Sequence, residues 1–518
     1  MATERIIGLD VGTTGTRAVV FDPEGRIYAS ATGEYPLLVP KPGYGEQDPE
    51  AILQAVVKAL KEAVAKAGLA PGEVTAVGIS AVMHSMIALG RDGTPLTKAW
   101  TWVDTRAVRT AERIKAQHDV AALYSRTGCP MHPMYLPAKI AYLRETAPDA
   151  FASAERFISI KEYLLWRLFG ARLTDFGVAS GSGLFHMEKM TWDDEALAIA
   201  GITKEQLSQP VEPTTIVRGL KQEFADEIGI AADTPFAIGS SDGTLSTLGV
   251  GAVQPGQMTA MIGTSGAVRA ISERPTVDAQ ARTWCYYLAE NRWVAGAAIN
   301  NAGIVYRWVC DELLHLPLVD RDATYASLVQ EAALVPPGSN GLVFLPFLAG
   351  ERAPYWNADA RGVLFGLSLG HSRAHIVRAT LEGVAYRMYS IFDALREVTG
   401  QPREVRTTGG FTKSPLWVQI LADVFGECLS IPEVHEASSF GAAFLAMLGL
   451  GLAKDIADIQ KLVRIVHRYE PDEGRHQRHQ YFFDLYMRLY WHLQDQFAEI
   501  ASIQRGEDVA AVASQGIR

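Results

Sequence analysis

From residue 6 the chain alternates short apolar runs with polar turns. Ile6, Ile7, Leu9 and Val11 precede the turn Gly12-Thr13-Thr14-Gly15, and Ala18, Val19, Val20 and Phe21 follow it. Runs of this length around two glycines predict two buried strands joined by a hairpin. A third strand is predicted around "RIYASAT", followed by the proline- and glycine-rich loop "YPLLVPKPGYGEQDPE". The period then changes to that of a helix. Ile52, Leu53, Val56, Val57, Leu60 and Val64 share one face, Asp48 can cap the helix, Pro49 can start it and Gly68 can end it. The strand "EVTAVGIS" comes next, with helices expected at 106–117 and 138–145.

The second half restarts the same pattern. "QMTAMIGTSGAVRAI", from Gln257, reads as strand, polar turn and strand, and "WCYYLAENRWVAGAAI" adds a hairpin turning at Glu290 and Asn291. A repeat separated by roughly 250 residues predicts two domains of one topology rather than a solenoid. At 518 residues the chain also exceeds what one core holds. Glycine and proline thicken between Asp242 and Gln257, so the expected division is 1–246 and 247–495, with a tail over 496–518. Later, "PREVRTTGGFTKSPLWVQILADVFG" predicts a strand, a Thr-Gly-Gly turn and a helix opening near 414–415, a form that suits a nucleotide or a close-packed turn.

Composition narrows the partners. The chain is 48% hydrophobic and 20% charged with a net charge of −10, and it has no Lys/Arg-rich block, which argues against nucleic acid. The four cysteines are scattered without a C-x-x-C pair, so neither a zinc site nor a disulfide framework is expected. Glu4 and Arg5 interrupt any leader, and "GAAFLAMLGLGLA" is too short for a membrane span, so a cytoplasmic protein is expected.

The first turn holds more hydroxyls than a hairpin needs. Thr13, Thr14 and Thr16 suit a ligand rich in acceptor oxygens, such as phosphate, although a plain polar turn has the same sequence. Gly263, Thr264 and Ser265 repeat the feature. No P-loop, no G-x-G-x-x-G opening a helix and no protein-kinase catalytic loop occurs. Asp242 ends the apolar strand of "AIGSSDGTLS", where a carboxylate reaches a cleft mouth; a turn or helix-cap aspartate is the alternative.

"GLDVGTTGTR", "SSDG", "IGTSGAV", "FLAGERAPYWNADARG", "GVLFGLSLGHSRAHIVRATLEG" and "TTGGFTKSPLWVQILADVFG" together resemble the FGGY carbohydrate kinases over about residues 5 to 450. One departure is Tyr142, where the family usually has tryptophan. The resemblance implies an α/β fold of two ribonuclease-H-like domains, of actin and hexokinase type, around a central cleft. It also implies ATP and Mg²⁺. Asp242 would be the proton acceptor, Asp10 the Mg²⁺ ligand or else a turn-closing aspartate. Thr13, Thr14 and Arg17 would cradle phosphate from one domain, and Gly263, Thr264 and Ser265 from the other. Gly409, Gly410 and Ser414 would take the adenosine, with the helix from Ser438 against the base or simply packed.

Within the family, "SAVMHS", "RTGCPMHP", "ISIKEYL" and "NNAGIVYRWV" are most similar to gluconate-phosphorylating members. Xylulose kinases typically have Gln-Met-His-Gly at Val82 to Ser85. His84, Trp102, Asp104 and Arg106 are assigned to the sugar pocket, and neither His84 nor His132 has a partner at metal-ligand spacing. A buried carboxylate needs pairing, and Arg106, Lys161, His84 and Asn301 are the candidates, Lys161 being equally readable as a solvated helix-start lysine. A homodimer is among the expectations. The competing readings are a pentulose or polyol kinase, a sugar sensor without catalysis and a chaperone-type ATPase, the last lacking room for a peptide-binding domain.

Overall fold

The computed structural model describes residues 4–315, 320–434 and 436–505. The first half supplies β1 (Ile6–Val11), β2 (Gly15–Phe21), β3 (Ile27–Glu34), β4 (Ala76–Ala81), β5 (Ile216–Val217) and β6 (Phe236–Ser241), paired in the order β5-β6-β4-β1-β2-β3. The second half supplies β7 (Gln257–Ile262), β8 (Gly266–Ser272), β9 (Trp284–Ala289), β10 (Arg292–Ile299), β11 (Glu404–Thr408), β12 (Leu429–Pro432) and β13 (Ile465–Tyr469), paired as β9-β10-β8-β7-β11-β12-β13. Laid side by side, β10-β8-β7-β11-β12-β13 repeats β3-β2-β1-β4-β6-β5. The antiparallel hairpin partners and the parallel neighbours correspond, and β9 is an addition. The α/β architecture of two like halves expected from the sequence is the one observed.

The helices follow from caps and apolar stripes. α1 (Pro49–Lys66) starts where Asp48 accepts from the Glu50 amide and buries Ile52, Leu53, Val56, Val57, Leu60 and Val64. α2 (Asp242–Gly249) leaves the end of β6. α3 (Arg373–Thr399) is a buried spine behind the second sheet. α4 (Pro415–Phe425) opens on the Ser414 cap. α5 (Ala437–Gly449), which follows β12 as α2 follows β6, is buried along most of its length.

α5 lies against the first sheet and α2, the packing expected as one of the two readings of the segment from Ser438. Glycine makes this approach possible. A Cβ on Gly8 would stand 1.9 Å from the Ser439 carbonyl oxygen, one on Gly78 1.9 Å from that of Ala442, and one on Gly249 1.9 Å from that of Ala437. Two crossing helices thus form the floor between the halves.

Residues from 496, expected as a tail, continue as a helix, Gln494–Gln504, that buries Phe497 against Phe347 and Tyr490. Tyr142, the family departure, keeps an aromatic role: its ring meets Trp100 edge-on and its hydroxyl lies 3.4 Å from that of Tyr44. Among the described residues no helix is long and apolar enough to cross a membrane.

Candidate active site

Three parallel strands of the first half, β1, β4 and β6, end together at the cleft. Register pairs Asp10 with Ser80 and Ala81 with Ser241, so Asp10, the loop carrying His84 and Asp242 emerge side by side. The carboxyl ends of parallel strands are where such sheets bind ligands.

Asp242 is not a cap. Ser241 caps α2 by accepting from the Thr244 amide, while one Asp242 carboxylate oxygen accepts from the Gly243 amide at 2.7 Å. Burial raises the Asp242 pKa; the Gly243 hydrogen bond and the Arg269 guanidinium oppose the rise. Asp10 accepts from the Ser80 hydroxyl at 2.6 Å. Burial pushes its pKa up to about 7, helped by the negative charges of Asp242 and Glu436 and resisted by Ser80 and Arg17. The oxygen donors and surplus negative charge fit a hard divalent cation.

The first turn is closed by the Gly12 amide donating to Gly15 at 2.9 Å, and the second by Gly263 donating to Ser265 at 2.9 Å. The threonines divide. Thr16 is buried and donates to the Asp10 carbonyl at 2.9 Å, so it closes the hairpin rather than facing a ligand. Thr14 is exposed, and the Thr13 hydroxyl accepts from the Trp102 indole at 2.9 Å. Arg17 is held by Glu436 across the cleft, so it reaches phosphate only on leaving that partner.

Gly263 and Thr264 open onto a cavity of about 740 Å³ that Gly410, Phe411, Ser414 and Trp417 also line. Gly409, at φ 108°, abuts β7: a Cβ there would stand 2.2 Å from the Ile262 carbonyl oxygen. The second turn and the Gly409–Ser414 segment therefore bound one space of nucleotide size.

His84, at φ 63°, donates from Nδ1 to the Gly181 carbonyl at 2.8 Å, which leaves Nε2 as an acceptor. Its ring lies 5.1 Å from Tyr135 and 5.9 Å from Tyr286, whose hydroxyls are 2.7 Å apart across the two halves. Burial lowers the pKa of His84 to about 3, with Lys139 adding to the effect, and burial does the same to His132, so both rings are neutral near pH 7. Trp102 lies under the Arg352 guanidinium at 5.0 Å.

Four expected sugar-pocket residues are engaged elsewhere. Asp104 is fully buried and accepts from the Gly45 amide and from Arg106, which also pairs with Glu46. That pair fixes the loop bearing Trp102. Lys161 is buried and ion-paired to Asp175 at 2.6 Å, so it is neither a solvated lysine nor a free cation. Asn301 donates to the Gly350 carbonyl and accepts from the Ala349 amide, so it holds the segment before Arg352. Sequence reasoning missed Arg269, Tyr135, Tyr286 and the role of Arg352. The one legible signal was an arginine inside the apolar strand β8.

Residues 5–249 match the FGGY family of carbohydrate kinases, N-terminal domain, and residues 258–450 match its C-terminal domain. The chain belongs to the FGGY family of carbohydrate kinases. This carbohydrate kinase is 38% identical to the gluconokinase of Bacillus subtilis (strain 168), over 97% of this chain and 99% of that one. The gluconate kinase structure from Lactobacillus acidophilus superimposes with a TM-score of 0.91 at 35% identity, over 96% of this chain and 100% of that one. A ligand-bound xylulose kinase from the same species gives the same TM-score, identity and coverage.

Proposed function

We propose that this carbohydrate kinase transfers the γ-phosphoryl group of ATP to the 6-hydroxyl of D-gluconate. The observation that carries the acceptor assignment is the near-complete alignment with a gluconokinase, against 26% identity to the xylulose kinase of the same Bacillus strain. A cleft with a neutral imidazole acceptor and unpaired guanidinium groups supports it, because a polyhydroxylated acid needs both acceptors and cations.

Asp242 takes the hydroxyl proton as the oxygen forms its bond to the γ-phosphorus and the bond to the bridging oxygen of ADP breaks. Arg269, beside it, favours the ionised carboxylate that this role requires. The two turns hold the polyphosphate from opposite halves and align it, which is most of what phosphoryl transfer asks of a protein. Asp10 would hold Mg²⁺ directly or through water, and the ion would neutralise charge on the transferring phosphate. The test is product identification: phosphorus–proton correlation spectra should place the phosphate on C6 of gluconate. Phosphate at another carbon, or no product, contradicts the proposal.

A further inference from the structure

The cations around the cleft can be sorted by what already holds them. Arg106, Lys161 and Arg387 are buried in ion pairs with Asp104 and Glu46, with Asp175 and with Glu351. Lys139 is spent on the carbonyls of His84, Trp100 and Thr101. Arg17 pairs with Glu436. Arg307 and Lys413 are exposed on the wall of the nucleotide-sized cavity. Two guanidinium groups with a buried Nε remain. Among the described residues, Arg269 and Arg352 form no ion pair, and the Nε of each is buried without a hydrogen-bond partner. Arg269 forms no side-chain hydrogen bond, and Arg352 has only a 3.5 Å contact to the Ile299 carbonyl.

An unpaired guanidinium sunk in protein is costly, and at Arg269 the charge of Arg352 adds to the cost. Both face one enclosure. Arg269 stands beside Asp242 and, through its β8–β10 register with Gly296, beside Trp284, whose ring covers that glycine and stacks on Tyr286 at 4.2 Å. Arg352 covers Trp102, and its charge reaches His84, His132, Tyr135 and Tyr286. Asp242, His84 and Trp102 are the residues assigned above to the acceptor's site.

We propose that Arg269 and Arg352 together form the receptor for the acceptor's carboxylate, making them the residues that select a sugar acid over a neutral sugar. This rests on the gluconate reading above. The guanidinium fork matches a carboxylate in two parallel hydrogen bonds, and the face of Trp102 orients the Arg352 fork. Asn301 and Glu351 then act as positioning residues. Asn301 fixes Gly350, and Glu351 accepts from the Arg352 amide at 2.8 Å.

The test compares R269Q and R352Q with the parent on gluconate and on glucitol, which replaces the carboxylate with a neutral hydroxymethyl group. Each variant should raise KM for gluconate about a hundredfold while KM for glucitol changes less than about threefold; R269Q, which also removes the charge beside Asp242, should in addition lower kcat on both acceptors. R269A and R352A should regain part of the gluconate activity on addition of guanidinium ion, and R269K and R352K, which keep charge without the fork, should fall between parent and glutamine variants. The lysine variants decide the matter if the glutamine ones do not fold. Equal rises in KM for gluconate and glucitol, a rise in KM for ATP instead, or a KM effect confined to one arginine would overturn the shared receptor. If the parent prefers xylulose to every sugar acid, the gluconate reading fails and the receptor with it; if the parent takes gluconate and the variants are unselective, the receptor alone fails.

Discussion

Asp242 and Asp10 show how placement gives one residue type two tasks. Both are strand-end aspartates with pKa values raised by burial, yet Asp242 has Arg269 at its side, whereas Asp10 has the Ser80 hydroxyl, the charges of Asp242 and Glu436, and an Arg17 already held by Glu436. The first is suited to accept a proton, the second to a cation. Asp242→Asn should lower kcat by about two to four powers of ten while nucleotide binding, measured by calorimetry, stays close to normal. Near-normal turnover would remove Asp242 from its role. These aspartates were legible in the sequence because both end apolar strands before glycine. The roles of Arg106, Lys161 and Asn301 were not, since a sequence lists charged groups without showing which are already paired. Glu46, Asp175 and Gly350 come beside them only after folding.

Among the elements, α2 and α5 matter most. They are equivalent helices of the two halves; they meet where Gly249 and Gly441 bring backbone against backbone, and Gly8 and Gly78 do the same between the first sheet and α5. The sequence displayed α5 as an apolar run, but its site of packing depended on glycines hundreds of residues away. Gly78→Ala should force α5 off β4, since the new methyl carbon would meet the Ala442 carbonyl, and should destabilise the protein by about 1–3 kcal/mol. Urea unfolding reads this directly; an unchanged midpoint would show that the helix yields without cost. The hairpins, by contrast, were legible because each is local: the β9–β10 turn sits at Glu290 and Asn291, both at positive φ, as expected.

At the scale of the molecule, duplication explains why the site lies between the halves. Each half brings one polar turn to the cleft, and in the proposed reaction neither alone would surround a polyphosphate. The back of the cleft is tied by buried contacts: Tyr135 to Tyr286, the Tyr124 hydroxyl to the Thr283 carbonyl at 2.9 Å, and the Cys285 amide to the Gly128 carbonyl at 3.0 Å. The front is spanned by Arg17 and Glu436, a partly exposed pair of the kind that contributes little to stability. The repeat was visible in the sequence as two hairpins with polar tips, whereas the pocket walls, drawn from segments as distant as His84, Trp284 and Arg352, were not. The central claim is that this cleft selects a sugar acid, and it is tested most directly by kcat/KM for gluconate and for xylulose under identical ATP and Mg²⁺. The account predicts a ratio above about 100 in favour of gluconate, since an acceptor without the carboxylate leaves buried cations unpaired; comparable values for the two would contradict it.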